Sequence, residues 1–380
     1  MEQKVSVLVT GDFYGGNGVE NFIAKGNFVD LFADFLPIIQ SHDVAITNLE
    51  SAITDAKVSI QKTGPAIKSS PLTAKFLKDT GFSLVTLANN HIMDFGVEGL
   101  ADTIAYCQKN GITNVGAGMN QTKASETYYI EKNNIKIAVI NIAENEWSTT
   151  NSEKPGAHAL NPVQNYYKIT EARKNADFVL MIVHGGHEMY HLPSPRMKST
   201  FRFFIDAGAD IVVNHHTHCY SGYEFHNGKP IFYSTGNFLF NKPGMKNPLW
   251  NSGYAVSINF FKNQIQFEII PYLQCADKIG IRKLSNAESI SFYTRLKEIN
   301  KIIKDNKILQ QEFDALQLKS VKTYRNFIEP HNNKWLYALQ KKGVFPSLLH
   351  KRKKLMLLNL VRCESHRDVL ISVLMQNSKL

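Results

Sequence analysis

The sequence predicts a layered α/β fold with mixed or parallel sheets. Short apolar runs typical of buried strands alternate with amphipathic segments, at the spacing of strand–helix–strand units. The first runs cover residues 5–10, 44–47 and 84–87, and the amphipathic segments cover residues 27–40, 71–80 and 98–110. Helices between strands of one sheet must cover its faces, so this order favours stacked layers of sheet and helix.

The second half of the chain adds antiparallel pairs and a helical end. Residues 128–130 and 135–142 predict a hairpin, and four later runs predict further strands at 222–225, 229–233, 254–260 and 264–271. Residues 144–165 have no clear period and few apolar residues, so we expect a long loop near the functional site. From Ala287 onward the apolar spacing becomes helical.

Charge divides the chain into two parts. The net charge of +10 is carried by the end of the chain, because residues 281–380 hold 20 Lys and Arg against 8 Asp and Glu. We therefore expect a domain over residues 1–280 and a basic helical extension over residues 281–380. The extension could contact a membrane surface, an anionic polymer or a partner protein, or it could be a helical layer packed on the domain.

The ends of the chain contain no evident targeting segment. Met1-Glu2-Gln3-Lys4 leads directly into the first predicted strand, and no apolar stretch reaches the ~18 residues of a membrane span. We expect a cytoplasmic protein, with peripheral contact at the inner membrane face as a further option.

Potential metal ligands follow five of the predicted strands. The most informative segment is Asn214-His215-His216-Thr217-His218, directly after an apolar run, and seven of the thirteen histidines lie between His184 and His226. The other strand ends carry Asp12, Glu50, Asn90-His91 and His184. Open α/β sheets build sites at their strand ends, and imidazole is the commonest metal ligand.

The ligand types indicate which metals to expect. Carboxylate, amide and imidazole groups without thiolates suit Zn, Mn, Fe or Mg, and they are typical of hydrolytic two-metal sites. Taken singly, an Asp after a strand is more often a helix cap, and an isolated His is more often packed or solvated. Taken together, the set favours a metal site.

The motifs, in this order, resemble the CapA capsule-synthesis family, which is named for poly-γ-glutamate capsule synthesis and is similar to the calcineurin-like metallophosphoesterases. The resemblance covers about residues 4 to 275 and leaves the basic extension outside. The residues that carry it are Gly11-Asp12, Asn48-Leu49-Glu50, Leu87-Ala88-Asn89-Asn90-His91, Asp94-Phe95-Gly96, His184-Gly185-Gly186-His187-Glu188, His216-Thr217-His218 and Tyr233-Ser234-Thr235-Gly236-Asn237-Phe238.

The resemblance implies a four-layer metallophosphoesterase-like sandwich of mixed sheets with flanking helices, followed by the helical extension. It also implies one or two divalent metal ions. Asp12 and His218 would hold the first ion and Glu50 would bridge the two. The ligands of the second ion would be Asn90, His184 and His216.

The same resemblance implies roles for residues around the ions. His91 would face the leaving group as a general acid, and Asp94 would orient its ring. We expect six further residues to support the ligands or contact substrate: Asn48, Asn89, His187, Glu188, His215 and Asn237. For Asn237 we expect a hydrogen bond to a ligand histidine, or alternatively a turn in which Gly236 supplies the positive φ.

The chain departs from the family pattern at its first motif. The calcineurin-like pattern has Asp-x-His there, whereas this chain has Asp12-Phe13-Tyr14. The first ion would therefore have one ligand fewer. His187 replaces a residue that is often acidic in the family, and it could be a compensating ligand or a substrate contact.

These expectations indicate a metal-dependent hydrolase acting in capsule or cell-surface polymer synthesis, on a phosphoester or a γ-glutamyl amide. Its partner would be an anionic polymer or its precursor. The alternative is a catalytically silent assembly or binding component of a capsule-synthesis complex. A nucleic-acid phosphodiesterase ranks last, because no aromatic and basic recognition motif accompanies the basic extension.

Overall fold

The computed structural model describes residues 3–150, 152–328 and 350–376, with five single positions between the last two ranges, Trp335, Ala338, Leu339, Lys342 and Val344. The first two residues, which the targeting prediction used, lie outside the described residues. No helix in the described ranges is long and apolar enough to cross a membrane.

Strands occupy much of the first 283 residues. In chain order they are β1 (Lys4–Phe13), β2 (Val44–Leu49), β3 (Ala52–Ile53), β4 (Lys68–Ser69), β5 (Leu84–Thr86), β6 (Thr113–Val115), β7 (Ala117–Gly118), β8 (Tyr128–Lys132), β9 (Ile135–Ala143), β10 (Thr149–Thr150), β11 (Gly156–His158), β12 (Phe178–His184), β13 (Ile211–His215), β14 (Tyr223–His226), β15 (Lys229–Phe232), β16 (Asn237–Leu239), β17 (Ser252–Phe261), β18 (Gln264–Gln274) and β19 (Ile281–Lys283).

Helices lie between the strands and form the end of the chain. They are α1 (Glu20–Lys25), α2 (Phe28–Phe32), α3 (Leu36–Gln40), α4 (Thr73–Thr80), α5 (Gly96–Lys109), α6 (Gln121–Ala124), α7 (Pro162–Asn175), α8 (Pro195–Asp206), α9 (Pro248–Asn251), α10 (Asn286–Lys304), α11 (Asn306–Ile328), α12 (Lys351–Arg362) and α13 (Glu364–Gln376), with a 3₁₀ turn at Ala33–Phe35.

Two mixed sheets form the centre of the molecule. One has the strand order β19-β18-β17-β1-β2-β5-β6 with β16 paired to β1, and the other has the order β14-β15-β13-β12-β9-β8. Both sheets contain parallel and antiparallel neighbours. In the first sheet, β1 runs parallel to β2 and antiparallel to β17. This arrangement confirms the prediction of mixed sheets.

The two sheets pack face to face, and helices cover both outer sides. Alternation along β1 produces this packing: Val5, Val7 and Val9 lie in a core shared with the second sheet, whereas Leu8 points to the opposite face. On that face α2 to α5 cover the first sheet, and α7 and α8 cover the outer face of the second. The predicted four-layer α/β sandwich is therefore confirmed.

Local signals explain where the outer helices begin. The side chains of Asn161 and Ser194 accept hydrogen bonds from the first turns of α7 and α8, and each helix has proline at its first position. These residues satisfy or replace amide groups that have no partner inside the helix. Helix α7 starts beside the end of β9, since the amide of Leu160 donates to the backbone oxygen of Ala143, and α8 follows β12 in the chain.

Helical structure at the end of the chain was predicted, and the structure shows how it packs. Phe292 of α10 contacts Tyr220, with ring centroids 4.7 Å apart. α11, α12 and α13 share a small apolar cluster formed by Tyr324, Leu360, Val369, Leu370 and Val373. Within the described ranges the extension is thus a layer on the domain, while the proposed division at residue 280 stays a prediction.

Two predicted segments differ from the structure. The amphipathic segment 27–40 forms short helical pieces rather than one helix, because the chain turns at Ala33, whose φ is +42°. The prediction of a long loop over residues 144–165 was wrong in part. That segment contains β10 and β11 and the first turn of α7. Both strands are too short to show a period of two.

Candidate metal centre

The ends of four parallel-running strands bring the predicted ligands together. Asp12 lies near the end of β1, level with Asn48 on β2. His184 ends β12 and pairs with His215 on β13. Because the two sheets face each other, their carboxyl ends meet, and all of these side chains are buried there.

The structure places the predicted donors in two groups that share Glu50. In one group, donor atoms of Asp12, Glu50 and His218 all lie within 4.8 Å of one another. In the other, donor atoms of Glu50, His184 and His216 meet the same limit. A shared carboxylate between two donor sets is the arrangement of a bridged two-metal site.

Asn90 adds an oxygen to the second group. Its side-chain oxygen lies 3.0 Å from His184 Nε2, and the same nitrogen lies 3.0 Å from His216 Nδ1. The Glu50 carboxylate is 3.6 Å from that nitrogen. Donor atoms of Asn90, His216 and Glu50 therefore lie close to His184 Nε2. Donor atoms grouped in this way are typical of the ligands of one ion.

The Glu50 carboxylate provides the test of whether a cation fits. Both of its oxygens are buried and have no hydrogen-bond partner among the described residues. Burial raises its pKa well above the usual range, and the nearby Asp12 raises it further. An unpaired buried carboxylate is costly unless a cation compensates it, so the donor set fits divalent metal ions.

Two histidines of this site, His184 and His216, are poised as neutral ligands. Burial lowers the pKa of His184 well below its usual range, and the neighbouring His216 lowers it further. Burial also lowers the pKa of His216. A neutral imidazole keeps a lone pair for a metal, whereas an imidazolium cannot bind one.

The backbone at the last two ligands is unusual. His216 has a φ of +87° and His218 a φ of +55°. Residues with a Cβ rarely adopt this left-handed region, and such strain concentrates at functional sites. The turn after β13 therefore directs two imidazoles to the same place at an energetic cost.

Amide side chains orient the predicted ligands through hydrogen bonds. Asn48 donates to Asp12 Oδ1 over 2.8 Å and its nitrogen lies 3.2 Å from His184 Nδ1. Asn89 donates to Asn48 Oδ1 over 3.3 Å. Asn237 Oδ1 accepts from His218 Nδ1 over 2.9 Å, which leaves His218 Nε2 for the site. Gly236, at φ +76°, also forms the alternative turn.

His91 and Asp94 form a pair beside the donors. His91 Nδ1 lies 2.7 Å from Asp94 Oδ2, and burial lowers the pKa of the imidazole. A residue that sequence reasoning missed, Lys62, contacts both: its Nζ lies 3.1 Å from His91 Nδ1 and forms an ion pair with Asp94. Lys62 sits in the segment between β3 and β4, which carries no recognisable motif.

Three of the expected supporting residues belong to neither donor group in the described chain. His187 Nε2 lies 2.8 Å from the backbone oxygen of Ser365, so its ring faces the C-terminal helices, and neither donor group in the described chain includes it. His215 Nδ1 lies 2.9 Å from Thr235 Oγ1. Glu188 lines a small cavity with His216.

Sequence reasoning also missed the acidic residues that follow β9. Glu146 Oε1 lies 3.7 Å from His216 Nε2, and burial, with Glu188 and Glu144 nearby, raises the pKa of Glu146 to about 8. Glu144 accepts from Arg196 over 2.7 Å and from Ser365 over 2.6 Å. The expectation of a loop near the site was the one sequence signal that pointed to these residues.

The C-terminal helices close one side of this centre. A cavity of about 260 Å³ lies between the site and the helices, with Glu146, His187 and His216 on one wall and Tyr324, Ser365 and His366 on the other. The centre is thus built from two parts of the chain more than a hundred residues apart.

A comparison with known families decides the relationship. The model of the bacterial capsule synthesis protein PGA_cap matches residues 6–242, which include every predicted metal ligand. The chain belongs to this family.

Relatives in the capsule-synthesis family carry matching names. The chain is 33% identical over 245 residues to the "PGA biosynthesis protein CapA" of Bacillus subtilis, covering 63% of this chain and 64% of the relative. It is 30% identical over 249 residues to the "Capsule biosynthesis protein CapA" of Bacillus anthracis, covering 63% and 61%. The chain thus spans less than two thirds of the length of these relatives.

Solved structures share a more distant likeness with this family member. A hypothetical protein from Thermus thermophilus matches with a TM-score of 0.45 and 15% identity, over 74% of this chain and 100% of that one. A putative 5'-nucleotidase from Staphylococcus aureus matches with a TM-score of 0.44 and 12% identity, over 78% and 58%.

Proposed function

We propose that this protein is a metal-dependent hydrolase of capsule or cell-surface polymer synthesis, cleaving a phosphoester or a γ-glutamyl amide. The observation that carries the proposal is the buried Glu50 carboxylate, which has no hydrogen-bond partner among the described residues and is shared by two donor groups. The names of the family and of its relatives support the polymer, since they refer to capsule and to PGA biosynthesis.

Asp12, Glu50 and His218 would hold one ion, and Glu50, Asn90, His184 and His216 would hold the other. Divalent ions supply Lewis-acid polarisation of a scissile carbonyl or phosphoryl oxygen and activation of water. The identity and number of ions, among Mn, Zn, Fe and Mg, belong to this proposal.

The chain's own residues would handle the proton. Asp94 accepts from His91 Nδ1, so Nε2 remains to exchange a proton with the leaving group. Lys62 lies beside both and, through its ion pair with Asp94, would hold that carboxylate and the ring in place. Asn48 and Asn237 would keep the ligand imidazoles in their orientation.

The second candidate is an assembly or binding component without turnover. It is favoured by Tyr14, which stands where the related pattern has a ligand histidine. Its ring packs 5.0 Å from that of Phe240, in a cluster with Trp250, and the His218 ring lies 4.9 Å from Trp250. The first donor group is consequently bordered by aromatic rings.

Metal content and turnover together separate the two candidates. Elemental mass spectrometry on untagged protein should find two ions per chain, and these should be lost in a His216→Ala, His218→Ala variant. His91→Ala should keep the ions yet slow hydrolysis of a phosphodiester or γ-glutamyl anilide by about 10² to 10⁴. His226→Ala is the matched control, because His226 is bound to Asp206 away from the centre.

Two results would decide against the hydrolase. Protein that binds no ion even after addition of Mn or Zn, and turns over neither substrate, is an assembly component. Polymer production in cells that is unchanged by His91→Ala would mean the same. Loss of production at a normal protein level would refute the assembly role.

A further inference from the structure

A groove beside the metal centre lies between the domain and the C-terminal helices. It encloses about 830 Å³. One wall is residues 59–66, the segment that carries Lys62, and the other is α12. The first wall lies inside the part of the chain that the family model matches, and the second lies outside it.

The net charge of this groove comes from two cations of α12, because Asp94 balances the charge of Lys62. Its lining contains Lys62, Lys351 and Arg352 and, among the described residues, no Asp or Glu. Lys351 and Arg352 are exposed and form no ion pair with any described residue. Two cations without counter-charges attract a ligand that carries several negative charges.

Both walls of the groove also carry aliphatic side chains. These are Ile60, Leu355, Met356 and Leu360, and no Phe, Tyr or Trp ring lines the groove in the described chain. Nucleic-acid grooves of this kind stack bases on aromatic side chains. A chain of γ-linked glutamate units instead alternates carboxylates with short methylene stretches. The carboxylates match the cations of the groove, and the methylene groups match its aliphatic side chains.

The groove leads to the metal centre. Lys62 lines it and also lies 3.1 Å from His91 Nδ1. His366 lines both the groove and the smaller cavity that reaches His216. A polymer chain bound in the groove would therefore have one of its linkages close to His91 and the metal ligands.

Polar contacts hold the second wall in place. Arg196 donates to Glu144 and to Asp368 of α13, each over 2.7 Å, and Ser365 donates to Glu144. Leu360 of α12 packs in the same small cluster as Val369 of α13. The position of α12, and so of Lys351 and Arg352, depends on these contacts.

We infer that this groove is the binding site of a polycarboxylate chain of the poly-γ-glutamate type, and that the basic extension forms its second wall. The inference rests on the proposed function for the chemistry next to the groove, but binding itself requires no turnover. It assigns the extension a role in holding substrate.

The test reverses the charge of the second wall. Lys351→Glu, Arg352→Glu should weaken binding of a fluorescent oligomer of γ-linked glutamate to the metal-loaded full chain by about tenfold or more. The control Lys354→Glu, Arg362→Glu changes net charge equally on the same helix but outside the groove, and should change affinity less than about twofold. If the first variant misfolds, Lys351→Gln, Arg352→Gln provides a neutral replacement.

Turnover separates this inference from the proposed function. Selective loss of oligomer binding in a protein that hydrolyses nothing would support the groove and refute the hydrolase. Hydrolysis of the oligomer with unchanged affinity and KM in the reversed variant would refute the groove alone. Equal weakening by both variants, or a larger loss of binding to anionic vesicles or single-stranded DNA than to the oligomer, would also overturn it.

Discussion

The metal-donor edge and the C-terminal helices meet at one place but are built differently. The donors lie at the ends of strands whose apolar side chains are buried in two large cores. Among the described residues the last three helices share a cluster of five buried apolar residues, and α13 reaches the centre through polar contacts. The donor groups thus rest on two large cores, whereas the side of the centre formed by the last helices rests on a layer with a small apolar cluster of its own.

The largest effect is expected in the core beneath the donor edge. Phe238 contacts the rings of Phe32, Phe35, Phe82 and Tyr272 at centroid distances of 5.3 to 5.8 Å. Phe238→Ala should lower the free energy of unfolding by ~3–5 kcal/mol, because it leaves a cavity among aromatic rings. Denaturant unfolding followed by intrinsic fluorescence measures this. A loss below ~1 kcal/mol would mean that the core collapses to fill the space.

An intermediate and local effect is expected where the two regions join. Arg196→Met removes the cation between Glu144 and Asp368 and leaves a buried carboxylate without its partner. We expect a cost of ~2 kcal/mol, below the range for fully buried pairs because Arg196 is partly exposed. Hydrogen exchange should rise in α13 and stay unchanged in β12.

Arg202→Met is the matched control for this change. Arg202 lies on the same helix and pairs with the buried Glu224 of β14 instead of with a residue of α13. It should destabilise its own surroundings and leave exchange in α13 as it was. Faster exchange in α13 in both variants would mean that α8 itself, not the Arg196 contacts, holds the extension.

The smallest effect concerns the start of the extension. Glu288 and Ser285 form a capping box at α10, and Arg282 pairs with the same carboxylate. The hydrogen bonds from Arg282 and from the Ser285 backbone lower the pKa of Glu288 to about 2. Because the folded pKa lies below the unfolded value of ~4.3, this stability is complete above that value and is lost as pH falls toward 2.

Glu288→Gln should therefore cost ~0.5–1 kcal/mol at pH 7 and nothing below pH ~2. Thermal unfolding of wild type and variant across this range measures the difference. A difference that does not shrink with acidification would assign the effect to lost packing instead of lost charge.

The donor edge could be predicted from sequence because its signals are local. An apolar run followed by Asp12, Glu50 or His184 predicts both a strand and a ligand at the end of that strand. The partners that complete the site could not be predicted in this way. Lys62 comes from a segment without periodicity, and the contact of Glu144 with Ser365 joins residues 221 positions apart. Tertiary packing alone decides such pairs.

The outer helices show the same limit on a smaller scale. The periodicity of residues 27–40 correctly predicted a buried apolar face but not the break at Ala33. Backbone reversal at a residue with no special preference for positive φ is imposed by the surrounding packing, which spacing does not encode.

The contact of Ser365 with Glu144 joins two parts of the chain that are synthesised at different times. All of the metal donors lie between residues 12 and 218, so they leave the ribosome well before the helices that cover them. A chain that stopped between residues 328 and 350 would carry every donor and neither Lys351 nor Arg352. Under the proposed function, premature termination in that interval would leave the metal donors without the second wall of the proposed polymer groove.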